Sequence, residues 1–241
     1  LFRSDDWVAA SRKVAAATQT PAAMAWDRSG HRFAGAAISY GAKIFDAKGN
    51  LVLDDGYKTA VRKFVGWHKD GAMLKDVWGG SGGSTYADSI GEFKNGRIVT
   101  VLSGSWQINR LQKEIGNSFD WVAVPNPCGP AACTGMPGGA AWVALKTTKS
   151  PKEVGQFLDF MAQEANVAEF ASKTNNIPAH AGVAKKGVAY PSAGPAAQAA
   201  LSTFTSGTST LAPAAYALQG YKYNRAFMLP TVTDRKSTRL N

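Results

Sequence analysis

Short strand-like runs alternate with helical patterns along the chain, and this alternation most constrains what the chain can fold into. The strand-like runs cover residues 51–53, 97–103, 120–124 and 140–145, and the last has the composition of a buried strand. The helical patterns cover residues 5–17, 33–42, 57–71, 86–94, 105–115, 151–173 (with a break near Gln163) and 195–205, followed by a further helix from Tyr223. Such alternation is typical of the α/β class, which the sequence therefore predicts, with residues 180–194 as a loop.

Two helix starts carry capping signals. Ser150-Pro-Lys-Glu153 combines a capping-box spacing with a proline at the first helical position. Ser4 or Asp5 is expected to cap the first helix, since both side chains can accept a hydrogen bond from a free backbone N–H.

The length and apolar content set broad limits. With 241 residues, 45% of them hydrophobic, the chain can bury the core of one large domain or of two lobes. The longest apolar candidate, residues 138–145, is far shorter than the roughly 20 residues of a membrane helix. No membrane insertion is therefore predicted. The first residue is Leu1 rather than Met, and we expect this to be a truncation or processing point.

The net charge of +10 raises the possibility of a nucleic-acid partner. The basic residues, however, stand singly or in pairs such as Arg12-Lys13, which favours a solvated surface and no nucleic-acid partner. Residues 234–241 resemble translated adaptor sequence and are expected to be a non-native tail.

Two cysteines lie close together in Cys128-Gly-Pro-Ala-Ala-Cys133. A structural zinc site normally needs four Cys or His ligands, and the three histidines are far away in sequence. The Gly-Pro turn favours a disulfide that staples the loop, and free thiols are the alternative. A bridge would indicate an oxidising compartment.

The sequence offers little support for catalysis. It has no Gly-x-Ser-x-Gly elbow, and no Gly-Lys-Ser/Thr follows the glycine-rich loop after Trp78. Asp27, Asp88 and Glu92 are expected to be solvated or capping carboxylates. A non-enzyme without a cofactor or metal is predicted, and a glycoside-active domain is the enzyme alternative.

Trp106 is the most informative aromatic residue. It directly follows the run 97–103, and the carboxyl ends of strands in open α/β sheets are where ligands bind. The small residues Ser103, Gly104 and Ser105 are expected to let a ligand approach the backbone, where helix-start amides suit oxygen ligands. The indole face suits the C–H surface of a sugar, and Gln107 suits its hydroxyls. Core packing is the alternative for a tryptophan at a helix start.

Two further clusters have weaker signals. Gly138 and Gly139 precede the run 140–145, where they form either a ligand approach or a plain turn. Tyr223 and Arg225 lie in Tyr-Lys-Tyr-Asn-Arg, where the guanidinium is suited to hydroxyls or a carboxylate. A surface helix start explains the second cluster equally well.

Taken in order, these segments resemble the bacterial extracellular solute-binding protein family 1. Its members are the binding proteins of carbohydrate ABC transporters. The likeness covers roughly residues 5–233 and is strongest in Phe-Lys-Asn-Gly-Arg-Ile-Val-Thr-Val-Leu-Ser-Gly-Ser-Trp-Gln, residues 93–107. Residues 119–125, 138–145, 148–153 and 176–179 match the strands, helix and loop that follow in the family. Residues 30–33 and 217–225 are most similar to α-glucoside binders.

The resemblance implies a periplasmic-binding-protein-like (type II) fold, in which two α/β lobes joined by hinge crossings clamp the ligand. Most of this chain would form the C-terminal lobe, with part of the N-terminal lobe. The implied boundaries are 1–136 and 184–233 for the C-terminal lobe, 137–183 for a returning N-terminal-lobe segment and 234–241 for the tail. The chain would then begin after most of the N-terminal lobe.

The resemblance also implies roles for single residues. Trp106, flanked by Ser105 and Gln107, would be the stacking platform, and Gly138 and Gly139 would admit the ligand to a strand start. The remaining ligand-facing residues would be Tyr223 and Arg225 from a late helix, His31 and Arg32 at a helix start, and Trp78 at the rim. Trp7, Trp67, Trp121 and Trp142 are assigned to packing.

The function implied is the substrate-binding component of an ABC importer that binds a mono- or oligosaccharide, such as an α-glucoside. A glycerol-phosphate-type ligand is the alternative within the class, since Arg32 and Arg225 are suited to phosphate. The implied partners are the sugar and the permease subunits. We expect a monomer that is periplasmic or lipid-anchored outside the cell.

Overall fold

The computed structural model describes residues 3–26, 30–79 and 88–210, with side chains for all of these except residues 30, 31, 78, 79 and 210. The chain divides into two compact units. Unit 1 contains the described residues up to Ser103 and the segment Asn126–Pro137, and unit 2 contains Gly104–Pro125 and Gly138–Ser209.

Unit 1 contains five helices and two strands among its described residues. They are α1 Ser4–Thr18, β1 Ala22–Ala25, α2 Gly30–Ser39, α3 Asp55–Lys69, α4 Asp76–Gly79, α5 Ser89–Lys94 and β2 Ile98–Val101. The two strands pair in parallel, with Ala22 opposite Ile98 and Ala25 opposite Val101. All four residues of β1 are buried, as expected for a parallel strand that is covered on both faces.

Aromatic residues fill the centre of unit 1. Trp26 stacks on Trp67 with ring centroids 6.5 Å apart, and its edge meets Phe64 at 5.6 Å. Trp7 of α1 packs edge-on against Trp67. Burial of these rings supplies a large part of the apolar area that stabilises the unit.

His68 lies beside this aromatic cluster and gives unit 1 a pH-dependent stability. Its Nδ1 lies 3.0 Å from the Phe64 carbonyl, and its ring lies 4.6 Å from that of Phe64. Burial lowers the pKa of His68 below its ordinary value of 6.5, and the hydrogen bond to the carbonyl opposes this only in part. The unfolded chain therefore binds a proton more readily than the folded chain.

We expect the free energy of unfolding to fall as the pH drops below about 6.5, because the unfolded state then takes up the proton first. The substitution His68→Gln should flatten this dependence. Urea unfolding of both proteins at about pH 7.5 and about pH 5.5 measures the effect. Equal pH slopes for the two proteins would contradict it.

The loop 126–137 fastens two helices of unit 1. The sulfurs of Cys128 and Cys133 form a disulfide. The Cys128 carbonyl accepts a hydrogen bond of 3.0 Å from the Ser4 N–H at the start of α1, and the Ser39 carbonyl at the end of α2 accepts one from the Ala131 N–H. The closed loop thus holds the start of α1 and the end of α2.

Unit 2 is helical in its regular elements. They are a 3₁₀ turn Ser105–Gln107, α6 Ile108–Ile115, α7 Pro151–Ala162, α8 Glu164–Thr174, α9 Ala181–Lys186 and α10 Pro195–Gly207. Its core joins Ile108 of α6 to Ala197, Ala200 and Leu201 of α10, all of which are buried. Trp121 is half-buried against this core.

Several elements differ from the sequence prediction. Residues 120–124 and 140–145 contain no strand pairing within the part of the chain that is described, and Leu51 makes only a single-residue bridge to Phe45. Trp142, predicted to pack in a core, is 62% exposed. The expected loop 180–194 contains α9.

The two predicted caps also differ from expectation. Arg3 occupies the N-cap position of α1, and no side chain accepts a hydrogen bond there, so Ser4 and Asp5 lie in the first turn instead. Ser150 is the N-cap of α7, but its side chain accepts no capping hydrogen bond. The proline at the first helical position and the helix itself agree with the prediction.

The unit boundaries agree only in part with the predicted lobe boundaries. The change of unit after Pro137 lies one residue from the predicted boundary at 136. Residues 104–125 and 184–209, by contrast, group with Gly138–Val183 rather than with the rest of the predicted C-terminal lobe. The assignment of either unit to a lobe stays a prediction. Among the described residues, no helix has the length and apolarity needed to cross a bilayer.

Candidate sugar-binding site

Trp106 lies in the 3₁₀ turn that leads into α6, and 49% of its surface is exposed. The next residue but one, Ile108, is only 1% exposed and packs in the core of unit 2. The chain thus passes from solvent into the core within two residues. An indole ring held half in water at such a point is available to a ligand.

Two glycines lie directly against the indole ring of Trp106 and form its seat, that is, a pair of backbone contacts. A Cβ added to Gly104 would lie 2.0 Å from Cζ3 of Trp106, and one added to Gly138 would lie 3.0 Å from the same atom. The benzene edge of the ring therefore packs directly on the backbone at both positions. Gly138, predicted from sequence to admit a ligand, is brought together with Trp106 and supports it.

We expect Gly104→Ala to displace the ring and to weaken about tenfold the sugar binding that the family resemblance implies, because a methyl group would occupy the place of the ring edge. The backbone at Gly104 has φ −134° and ψ 171°, which alanine adopts without strain, so the effect is purely steric. The measurement is calorimetric titration with maltose, together with a thermal melt.

The control for this substitution is Gly155→Ala in α7, where an added Cβ meets nothing within 4 Å. It should leave affinity unchanged. Equal affinities of Gly104→Ala and the unmodified chain would show that the ring position is not set by this contact.

Gly139 has a different reason to be glycine. Its φ of +139° lies in a region that other residues rarely adopt. Gly138 and Gly139 are both exposed, so the backbone next to the ring is accessible on its outer side. This arrangement leaves the predicted ligand approach at Gly139 sterically open.

Polar side chains fix the helix that carries Trp106. The Asn109 side chain donates to the Thr174 carbonyl at 3.0 Å and accepts from the Asn175 side chain at 2.8 Å. Gln112 accepts from the Gly194 N–H at 2.7 Å. These bonds tie α6 to the end of α8 and the start of α10, so the platform is held by a rigid element.

The two residues that flank Trp106 in sequence are half-buried and uncharged. Ser105 and Gln107 flank the ring in sequence, and Gly138 and Gly139 complete a set of five residues without a charge. The Gln107 N–H donates to the Gly104 carbonyl at 3.0 Å. The backbone N–H of Gln107 is therefore used within the turn, and the expected contacts of the helix-start amides with an oxygen ligand stay a prediction.

The other predicted ligand residues lie in unit 1 or outside the described residues. His31 and Arg32 belong to α2 of unit 1, with Arg32 half-buried and His31 outside the described side chains. Trp78 belongs to α4, and its side chain also lies outside those described. Tyr223 and Arg225 lie outside the described residues. All five stay predictions.

The sequence prediction missed the role of Gly104 as a seat. The pattern Gly-x-Trp could have indicated this role, since the side chain of a residue two positions after a glycine can fold back over the glycine backbone. Among the described residues, no three His, Cys, Asp or Glu side chains gather where a metal ion could bind.

Comparison with known proteins relates this architecture to sugar-binding proteins. The sequence is 30% identical to maltodextrin-binding protein MdxE of Bacillus subtilis over 96 residues. The matched segment covers 39% of this chain and 22% of the relative. The structure also matches the GacH receptor of Streptomyces glaucescens, which was solved unliganded and with acarbose. The TM-score is 0.74 and the identity 16%, and the match covers 98% of this chain and 59% of the receptor.

A second solved structure agrees with the first. The sugar-binding protein MalE of Xanthomonas citri matches with a TM-score of 0.67 and 16% identity, over 96% of this chain and 60% of MalE. The chain thus spans about three fifths of the length of these two proteins, and the likeness shows their α/β fold. The sequence profile described as bacterial extracellular solute-binding protein matches residues 5–203, and on this match the chain belongs to that family.

Proposed function

We propose that this chain is the substrate-binding component of an ABC importer and that it binds a neutral mono- or oligosaccharide on the ring of Trp106. The observation that carries the proposal is the half-exposed indole seated on Gly104 and Gly138. A flat aromatic face fixed by backbone contacts suits the C–H face of a pyranose ring. An α-glucoside is the specific ligand we propose.

The chemistry around the ring supports a neutral ligand. Ser105 and Gln107 offer a hydroxyl and an amide, and none of the five site residues carries a charge. Neutral hydrogen-bonding groups match sugar hydroxyls, whereas a phosphate would be bound far better by an arginine or a lysine. These five residues thus favour a sugar, whereas the glycerol-phosphate alternative depends on Arg32 and Arg225.

Family membership and relatives support the same proposal. The B. subtilis relative is named a maltodextrin-binding protein, and the GacH receptor was solved with acarbose. In this proposal the chain passes its sugar to the permease subunits of the importer as a monomer, in the periplasm or anchored by lipid outside the cell. It carries out no catalysis.

Isothermal titration with maltose, maltotriose, trehalose and glycerol 3-phosphate tests the ligand class. We expect saturable binding of at least one of the three sugars and none of glycerol 3-phosphate. Binding of the phosphate alone would overturn the neutral-sugar assignment. Release of reducing sugar from maltotriose during the titration would instead support the glycoside-active alternative.

A further inference from the structure

A groove in unit 2 is separate from the Trp106 site. It lies between α8, α9, α10 and the segment 187–191, and its volume is about 610 Å³. This size is within the range of small-molecule sites. None of the residues that line the groove belongs to the five residues of the Trp106 site.

Four of the polar side chains that line the groove donate hydroxyl or amide protons within the protein, and the hydroxyls of Ser202 and Ser206 line it as well. The Ser172 hydroxyl donates to the Ala189 carbonyl at 2.7 Å, and the Thr205 hydroxyl donates to the Leu201 carbonyl at 2.8 Å. The Tyr190 hydroxyl donates to the Asn176 carbonyl at 3.1 Å. Each oxygen keeps lone pairs that can accept a hydrogen bond from a ligand.

Gln198 adds an acceptor of the same kind. Its Nε2 donates to the carbonyls of Ala193 at 2.8 Å and Tyr190 at 3.3 Å, which uses both amide protons and leaves Oε1 to accept. Burial raises the pKa of the Tyr190 hydroxyl, and a hydrogen bond with the Thr205 side chain opposes this in part. The groove therefore offers four acceptor oxygens held in place by backbone contacts.

The absence of charge in the lining and its apolar residues narrow the chemical class of the ligand further. No residue that lines the groove carries a charge, and Pro178, Ala184 and Val188 add apolar surface among the polar groups. Without a cation in the lining, the groove compensates poorly for the desolvation of a phosphate or carboxylate group, and without a carboxylate it compensates poorly for the desolvation of an ammonium ion. A molecule with several hydroxyl donors and C–H surface fits both features.

We propose that this α8–α10 groove is a second ligand site, which takes a neutral polyhydroxylated molecule of monosaccharide size. The ligand donates its hydroxyl protons to the oxygens of Ser172, Tyr190, Gln198 and Thr205. The lining of this groove does not include Trp106, so the proposal can be tested independently of the proposed function.

The test is an amide NMR titration of the 241-residue chain with D-glucose, repeated with glucose 6-phosphate. We expect saturable shifts at the amides around Tyr190 and Thr205 with glucose and none there with the phosphate ester. The same shifts should persist in Trp106→Ala, which separates this groove from the platform. Their absence with glucose, or their loss in Trp106→Ala, would overturn the proposal.

Two variants test the groove itself. Ser202 is an exposed lining residue of α10, and Ser202→Leu should fill the groove and weaken glucose binding about tenfold. Ala199→Leu adds similar bulk to an exposed position of α10 outside the lining and should bind as the unmodified chain does. Equal affinities of the two variants would overturn the proposal.

Thr205→Val covers the case in which Ser202→Leu does not fold. It keeps the shape of the side chain but removes one acceptor, so we expect glucose binding about fivefold weaker. Unchanged binding in this variant would exclude Thr205 as a ligand contact and overturn the four-oxygen site.

Discussion

Trp106→Ala should weaken sugar binding by about 30-fold or more while the chain keeps its fold. The ring is 49% exposed, and the contacts identified for its benzene edge are with the backbone of Gly104 and Gly138. Its removal therefore takes away the stacking surface without opening a cavity in the core. Calorimetry with maltose measures the affinity, and a thermal melt shows that folding is retained.

Trp142→Ala is the matched control. Trp142 is 62% exposed in the same unit, and its ring meets Phe157 rather than the two glycines. We expect this variant to bind maltose as the unmodified chain does. An equal loss of affinity in both variants would mean that exposed tryptophans act non-specifically, and the site assignment would fail.

Ile108→Ala should destabilise unit 2 by about 3 kcal/mol, because it leaves a cavity at a fully packed position. Ile108 is 1% exposed and packs with Ala197, Ala200 and Leu201. Hydrogen exchange of the α6 and α10 amides measures the change within unit 2. We expect these amides to exchange faster and the affinity for maltose to fall with them, since α6 carries the platform.

Val122→Ala provides the comparison for this core substitution. Val122 is 74% exposed in the same unit, so its truncation should change stability by less than about 0.5 kcal/mol. If both substitutions accelerated exchange equally, the buried cluster would not be what holds α6 in place.

The fold class was predictable from sequence: the structural neighbours confirm the α/β prediction, and the profile match over residues 5–203 confirms the family resemblance. Local signals account for this success. Pro151 and the break at Gln163 mark real helix ends, because backbone geometry at these positions is decided within a few residues.

Strands were harder to predict because pairing is decided by distant residues. The runs 120–124 and 140–145 are apolar enough for buried strands, yet Val124, Val143 and Leu145 are all more than 60% exposed. Their sequence cannot specify a partner strand, and β-propensity depends on packing with neighbours. Helix α9 was missed for a related reason, since six residues carry too short a periodicity to be recognised.

The sequence singled out Trp106, Gly138 and Gly139, but it could not predict how they lie relative to one another, and the site itself stays a prediction. A tryptophan after a strand is compatible with a core position or a platform, and the exposure of Trp106 beside the buried Ile108 favours the platform. The contact of Trp106 with Gly138 joins positions 32 residues apart in sequence, 138 − 106. No local sequence pattern predicts such a contact, whereas the Gly-x-Trp pattern could have predicted the contact of Trp106 with Gly104.

The stacked pair Trp26 and Trp67 gives unit 1 an optical signature. Two indoles held nearly parallel, with an interplanar angle of 17°, interact electronically and produce near-ultraviolet circular dichroism that disappears when packing is lost. Trp106, Trp121 and Trp142 all belong to unit 2. Near-ultraviolet dichroism from the pair can therefore follow the melting of unit 1 without a signal from the three indoles of unit 2.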